Sequence, residues 1–360
     1  MGNYLNAYRG CLLGLAVGDA MGMPVDDLTL EQIRDNYGPH GLLGYDLRSD
    51  YAEITSYTQL AAYVCNALLM SVSRGRGDRK TDFIKLGLQE WTRSQQFARD
   101  PQLSHCWVAK LPAFRRSHCR DARMLDTLRL GALGTPEKPS NKYNTPGSLT
   151  SAIAVGMFFY PNRLTPPQVG ELAAQTVAMT HGDPTAYLSA AVLAYAITGI
   201  LMEPELPLEE QFAGAISAMH HQFRGKFPAA DTVKATLSAA LDRSKAAEPM
   251  NEVMEQLHCY SAMDCLAGAI YASLANQEDF DTAMITAVNH SGYSSAVAGI
   301  TGAILGAKMG YDALPDFYLE SLEPVKALCQ LADDMLSGTP TKGLFDDDWD
   351  QKYVQGRPLI

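Results

Sequence analysis

Charge is sparse in this sequence, and positive charge sparser still. Of 360 residues 19% are charged, with 29 Lys and Arg against 40 Asp and Glu, a formal net of −11. A surface that tracks a phosphate backbone needs clustered cations, so nucleic-acid binding is not expected. The one basic run, Arg74 to Lys80, is broken by Gly75 and Gly77 and reads as a solvated loop. No stretch approaches the 18 or more apolar residues of a membrane span, since Arg9 and Asp19 interrupt the first candidate. No succession of basic, apolar and small residues marks a signal peptide. The cysteines (Cys11, Cys65, Cys106, Cys119, Cys259, Cys265 and Cys329) are odd in number, scattered and without a Cys-x-x-Cys pair. A zinc knuckle is therefore not expected, and a reduced cytoplasmic protein is. Also missing are β-branched runs alternating with helices, which a parallel α/β sheet would require.

What is present is helical periodicity along most of the chain. Leu5, Tyr8, Leu12, Leu15 and Ala16 mark one face of a first helix that ends near Gly22-Met23-Pro24. Its Gly10, Gly14 and Gly18 recur every four residues and permit close helix approach. A short helix over 29–37 stops at Gly38-Pro39. Further helices are predicted at 56–72, 80–94, 121–130, 148–158, 166–179, 184–200, 207–223, 229–243, 250–256, 260–275, 279–289, 293–309 and 322–336. With 47% hydrophobic residues and no clear linker, the expectation is one large all-α domain over residues 1–338. Residues 339–360, carrying Asp346, Asp347, Asp348 and Asp350, read as an acidic, loosely packed tail.

Four stretches carry groups capable of chemistry. Asp19 sits inside a small-residue helix, where a carboxylate is costly unless hydrogen-bonded, so it either supports the following turn or meets a ligand. Met179-Thr180-His181-Gly182-Asp183-Pro184 has the form of a helix start, with Asp183 as N-cap and Pro184 at the first helical position. His181 then stands near free helix amides, a natural place for phosphate. In Asn141 to Leu149, Gly147 and Ser148 can present donors to an anion. Asn289 to Ser295 brings His290, Ser291 and Ser294 to the start of another small-residue helix, as a pocket wall or as ordinary caps.

Taken in order, Gly10 to Pro24 with Gly38-Pro39-His40-Gly41, Thr180 to Pro184, Ala287 to Gly292 and Gly299 to Ala307 resemble the ADP-ribosylglycohydrolase family, over about residues 6 to 336. That family includes the dinitrogenase-reductase-activating glycohydrolases. The resemblance implies an all-helical domain with two magnesium ions in a cleft, cleaving the N- or O-glycosidic bond between ADP-ribose and a side chain. It places Asp26 at the acidic position two residues after the opening proline. The family's first metal motif has the form Thr-Asp-Asp-Thr, where this chain has Thr55, Ser56, Tyr57 and Thr58. Its last motif supplies two aspartates one residue apart, where this chain has Tyr293 and Ser295. The family's Met-Arg pair after the glycine-rich loop is replaced within Thr150-Ser151-Ala152-Ile153-Ala154.

Hydroxyls do not supply the charge that magnesium requires, so no metal and no cofactor are expected. The expected ligand site comprises Thr55, Ser56, Tyr57, Asn144, Gly147, Ser148, His181, Ser291, Tyr293, Ser294 and Ser295. If the chain is an enzyme, Asp19, Asp26, His181 and His290 are its acid–base candidates. Three functions stand open. The chain is a pseudo-hydrolase binding a nucleotide, an ADP-ribose-like ligand or a partner protein; a metal-independent N- or O-glycoside hydrolase; or a structural helical body. No nucleic-acid or membrane partner is expected.

Overall fold

The computed structural model describes residues 2–47, 49–95, 100–159, 163–338 and 346–355. Within these, seventeen α-helical segments and several short 3-10 turns form, and there is no strand beyond an isolated bridge from Ala52 to Leu322. The first four helices are α1 (Gly2–Gly22), α2 (Leu30–Tyr37), α3 (Ser56–Ser73) and α4 (Lys80–Ser94). Then come α5 (Ala122–Leu130), α6 (Ser151–Met157), α7 (Pro166–Ala178), α8 (Pro184–Met202) and α9 (Leu208–Phe223). The later ones are α10 (Ala229–Arg243), α11 (Met250–Gln256), α12 (Ala262–Ala275), α13 (Phe280–Val288) and α14 (Ser294–Met309). The chain finishes with α15 (Asp316–Ser321), α16 (Val325–Ser337) and the single turn α17 (Asp347–Trp349).

The centre of the molecule is the seam between α1 and α14, where small residues let two backbones touch. A Cβ on Gly14 would lie 2.0 Å from the Gly302 carbonyl oxygen, and one on Gly302 would lie 2.0 Å from that of Gly14. Gly10 and Gly306 face each other in the same way, so the four-residue glycine spacing is the packing code of this seam. Its C-terminal end delivers Asp19 and the turn after Gly22 to the N-termini of α3 and α14. A second layer is built around α8, which packs against α6, α7, α9, α10 and α12. By length and composition α8 is apolar enough to cross a membrane, which corrects the expectation that no stretch approaches one. It is a core helix here, 72% of its apolar window being buried. Asp183 caps it through the Thr185 N–H, with Pro184 at its first turn, as the sequence predicts.

The tail differs from its expectation over the part that is described. Asp346 caps α17, and the acidic side chains of residues 346–348 are exposed, but Trp349 and Tyr353 are buried. The Tyr353 hydroxyl donates to Asp334 at 2.6 Å and the Trp349 indole to Ser73 at 3.0 Å. Charges in water on one face and rings in the core on the other dock this segment. Residues 339–345 and 356–360 lie outside the described residues.

Candidate ligand-binding site

Three buried carboxylates organise the region where α1, α3, α5 and α14 meet. Asp19, fully buried, accepts four hydrogen bonds. They come from the Thr55 N–H at 2.9 Å and hydroxyl at 2.6 Å, and from the Thr58 N–H at 3.0 Å and hydroxyl at 2.6 Å. Burial pushes its carboxyl above the usual range, and these donors oppose the shift. Four donors and no acceptor is the environment of a carboxylate set on the N-terminus of α3. Asp19, Thr55 and Thr58 thus spend their polar atoms on one another.

Asp26 stands on the turn after α1. It accepts the Ser295 N–H at 2.6 Å and hydroxyl at 2.7 Å, which anchors the start of α14. Its third donor is Arg120 Nε at 2.8 Å, and the same guanidinium reaches the exposed Asp27 at 3.0 Å. The Arg120 side chain is only 22% exposed. Its backbone N–H donates to the Ser56 hydroxyl at 3.1 Å. Burial lifts Asp26 to about 6, against the pull of Arg120 and Ser295. The segments 55–58 and 290–295 are thus brought together, as expected, through Ser56, Arg120, Asp26 and Ser295.

Asp121 points the other way. It caps α5 through the Met124 N–H and accepts the Thr145 hydroxyl, while its Oδ2 lies 3.1 Å from His181 Nε2. His181 Nδ1 lies 2.8 Å from the Ser148 hydroxyl and 2.9 Å from that of Thr180. Burial acts to raise Asp121, but His181, Thr145 and the cap outweigh it and hold the carboxyl at about 2. Gly147 belongs to this packing, because a Cβ there would fall 2.5 Å from Asp121 Oδ2. The order Asp121–His181–Ser148 is that of a hydrolytic relay. Yet Ser148 is 1% exposed and its oxygen already accepts from Thr180, which leaves no face for a substrate carbonyl.

The remaining expected residues divide. His290 is buried and bonded to backbone on both ring nitrogens, Nε2 to the Ala287 carbonyl and Nδ1 to the Gly292 N–H. Burial lowers it to about 4, so it is neutral at pH 7. Ser291 bridges Glu255 and the Leu30 N–H, and Ser294 donates to the Val288 carbonyl. Tyr57 is fully buried and its hydroxyl has no protein partner, whereas Tyr293 is half-buried and Asn144 exposed. A cleft of about 380 Å³ adjoins the site on the Arg120 side, walled by Met23, Asp27, Tyr45, Glu53, His118 and Arg120. Arg120 and Asp121 were not among the expected residues. Their signal was an Arg-Asp pair at the predicted start of a helix over 121–130. Among the described residues, no three His, Cys, Asp or Glu side chains are grouped to hold a metal ion.

Residues 1–344 match the model of the family described as ADP-ribosylglycohydrolase. The chain belongs to that family. An uncharacterized protein of Archaeoglobus fulgidus is 26% identical over 335 residues, 90% of this chain and 94% of its own. A solved structure titled ADP-ribosylglycohydrolase-related protein complex superposes with a TM-score of 0.61 at 21% identity, covering 94% of this chain and all of that one. At that identity the superposition speaks for the fold. The all-α ADP-ribosylglycohydrolase-like domain read from the sequence is therefore the observed one.

Proposed function

We propose that this chain binds a small polar ligand, of nucleotide or ADP-ribose-like kind, in an ADP-ribosylglycohydrolase body that works without the dimagnesium centre. The observation that carries this reading is the ion pair of the half-buried Arg120 with the buried Asp26. The family's two magnesium ions require carboxylates at positions that here are Ser56, Tyr57, Tyr293 and Ser295. On this side Asp26 is taken by Ser295 and a guanidinium. Asp19 has all its bonds on Thr55 and Thr58. A divalent cation placed here would meet hydroxyls, a phenol ring and a fixed positive charge, so these residues do not fit the group. The cleft beside Arg120 is within the size range of small-molecule sites.

Metal-independent hydrolysis has one feature in its favour, the Asp121–His181 pair, but that pair is enclosed, and binding stands first. The test combines calorimetry with an activity assay. Metal-stripped protein is titrated with magnesium and with a panel of ADP-ribose, AMP and sugar phosphates, and is incubated with an ADP-ribosylated arginine peptide. Binding of a panel member that magnesium neither assists nor replaces, with no peptide cleavage, is the expected result. Stoichiometric magnesium binding tighter than about 100 μM would overturn the reading. Cleavage in the presence of chelator, abolished by His181→Asn, would replace it with the enzyme.

A further inference from the structure

The cleft of about 380 Å³ has walls whose cations are already committed. Arg120 is shared between Asp26, through Nε at 2.8 Å, and Asp27 at 3.0 Å. Arg116, beside the cleft, is divided between Glu323 and the wall residue Glu53, the latter at 3.4 Å. Among these residues each guanidinium thus answers two carboxylates. The remaining basic group of the wall, His118, has its Nε2 3.1 Å from Glu53. Negative charge is in excess and the strong donors are occupied, so a ligand here must bring donors of its own.

A second observation points the same way. Tyr45 lines this cleft, and its hydroxyl is buried without a protein partner. A buried hydroxyl left unsatisfied is costly and calls for an explanation. The rim beside it is fixed. Asn289 accepts the Leu42 N–H at 2.8 Å and donates to the Leu42 carbonyl at 2.9 Å. The Tyr37 hydroxyl donates to Asp46 at 2.8 Å, and the Ala52 N–H to the Ser321 carbonyl at 2.7 Å. The cleft is therefore already formed, and its volume lies in the range of small-molecule sites.

We propose that this cleft binds a linear aliphatic amine with two or more ammonium groups. Its N–H donors meet Asp27, Glu53 and the Tyr45 hydroxyl, and its methylenes lie on the apolar wall of Met23, Leu28 and Leu47. That apolar wall favours an organic cation over an inorganic one. So does the lack, among the described residues, of three His, Cys, Asp or Glu side chains grouped to hold a metal. The amine goes beyond the nucleotide-like reading and does not rest on it, because the two ligands carry opposite charge.

The experiment titrates the full chain calorimetrically with spermidine and, separately, with AMP and ADP-ribose. It uses wild type, Asp27→Asn and Tyr45→Phe, with thermal unfolding measured on each. Saturable spermidine binding that weakens with added salt is expected for wild type. Asp27→Asn and Tyr45→Phe should each weaken it ~5-fold or more. Tyr45→Phe should do so with an unfolding temperature unchanged or raised, since it removes an unsatisfied buried hydroxyl. No saturable spermidine binding at millimolar concentration would overturn the proposal, as would wild-type affinity in either variant. A lowered unfolding temperature in Tyr45→Phe would overturn the hydroxyl's assignment to a ligand. Spermidine binding without any nucleotide binding would sustain this proposal and sink the nucleotide-like reading, and the reverse result would do the opposite.

Discussion

Arg120 and Asp121 are neighbours in sequence and opposites in role. Arg120 turns toward Asp26 and brings a cation to a carboxylate that burial has raised to about 6. Asp121 turns toward His181 and is itself the carboxylate, held at about 2 by that imidazole, by Thr145 and by the α5 cap. Both sites are buried, so burial alone does not decide the sign. The number and placement of donors does: Asp121 collects a cap, a hydroxyl and a ring nitrogen around a short turn, whereas Asp26 depends on one guanidinium and one serine. One dipeptide therefore joins an ion pair whose carboxyl is raised to a network whose carboxyl is lowered.

The largest effect should come from cutting the ion pair. Arg120→Met leaves Asp26 buried without its cation, and is expected to cost about 3 kcal/mol in urea unfolding at pH 7. Adding Asp26→Asn should recover part of that loss; a purely additive double variant would show that the two side chains do not sense each other.

Asp121→Asn is expected to cost about 2 kcal/mol at pH 7, by removing charge-assisted hydrogen bonds. The two carboxylates should also differ in sign when pH is varied. With a folded value of about 2 against an ordinary 3.8, Asp121 contributes stability that is present above 3.8 and lost as pH falls through about 2. With a folded value of about 6, Asp26 contributes stability that is present below 3.8 and lost as pH rises through about 6. Unfolding free energies from pH 2.5 to 6.5 should therefore show Asp121→Asn flattening the acid limb and Asp26→Asn flattening the decline above pH 4. Parallel curves for wild type and both variants would erase the contrast.

The smallest effect is expected at Ser148→Ala, about 1 kcal/mol, the loss of one buried hydroxyl among several donors to His181. A loss of ligand affinity without that modest destabilisation would mean that Ser148 faces the ligand after all.

Much of this was legible in the sequence because it depends on local rules. The glycines at 10, 14 and 18 announce a close helix seam, and Asp183-Pro184 announces a helix start; both are found. Most predicted helices lie within a few residues of the observed ones, although α15 was missed because its six residues are too few to show a period. Partners separated by long stretches were not legible. Nothing near Arg120 indicates that its guanidinium reaches back to Asp26. Asp121 was hidden for another reason: as an N-cap it already had a sufficient local role. The docking of Tyr353 was obscured by the four aspartates around it, since charge in the string says nothing about the opposite face of a short helix.

The seam between α1 and α14 also dictates when this protein can fold. Its two halves are separated by about 270 residues, and the contact at Gly10, Gly14, Gly302 and Gly306 is backbone against backbone. At ribosomal rates that interval is on the order of tens of seconds. Throughout it the first helix, apolar on most of its circumference, has left the exit tunnel without its partner. A newly made chain must therefore be shielded, or rest α1 on α3 and the growing core, until α14 emerges and closes the ring of contacts. Slowing translation just before α14 would lengthen that exposed interval and should lower the soluble yield more than the same pause placed after it.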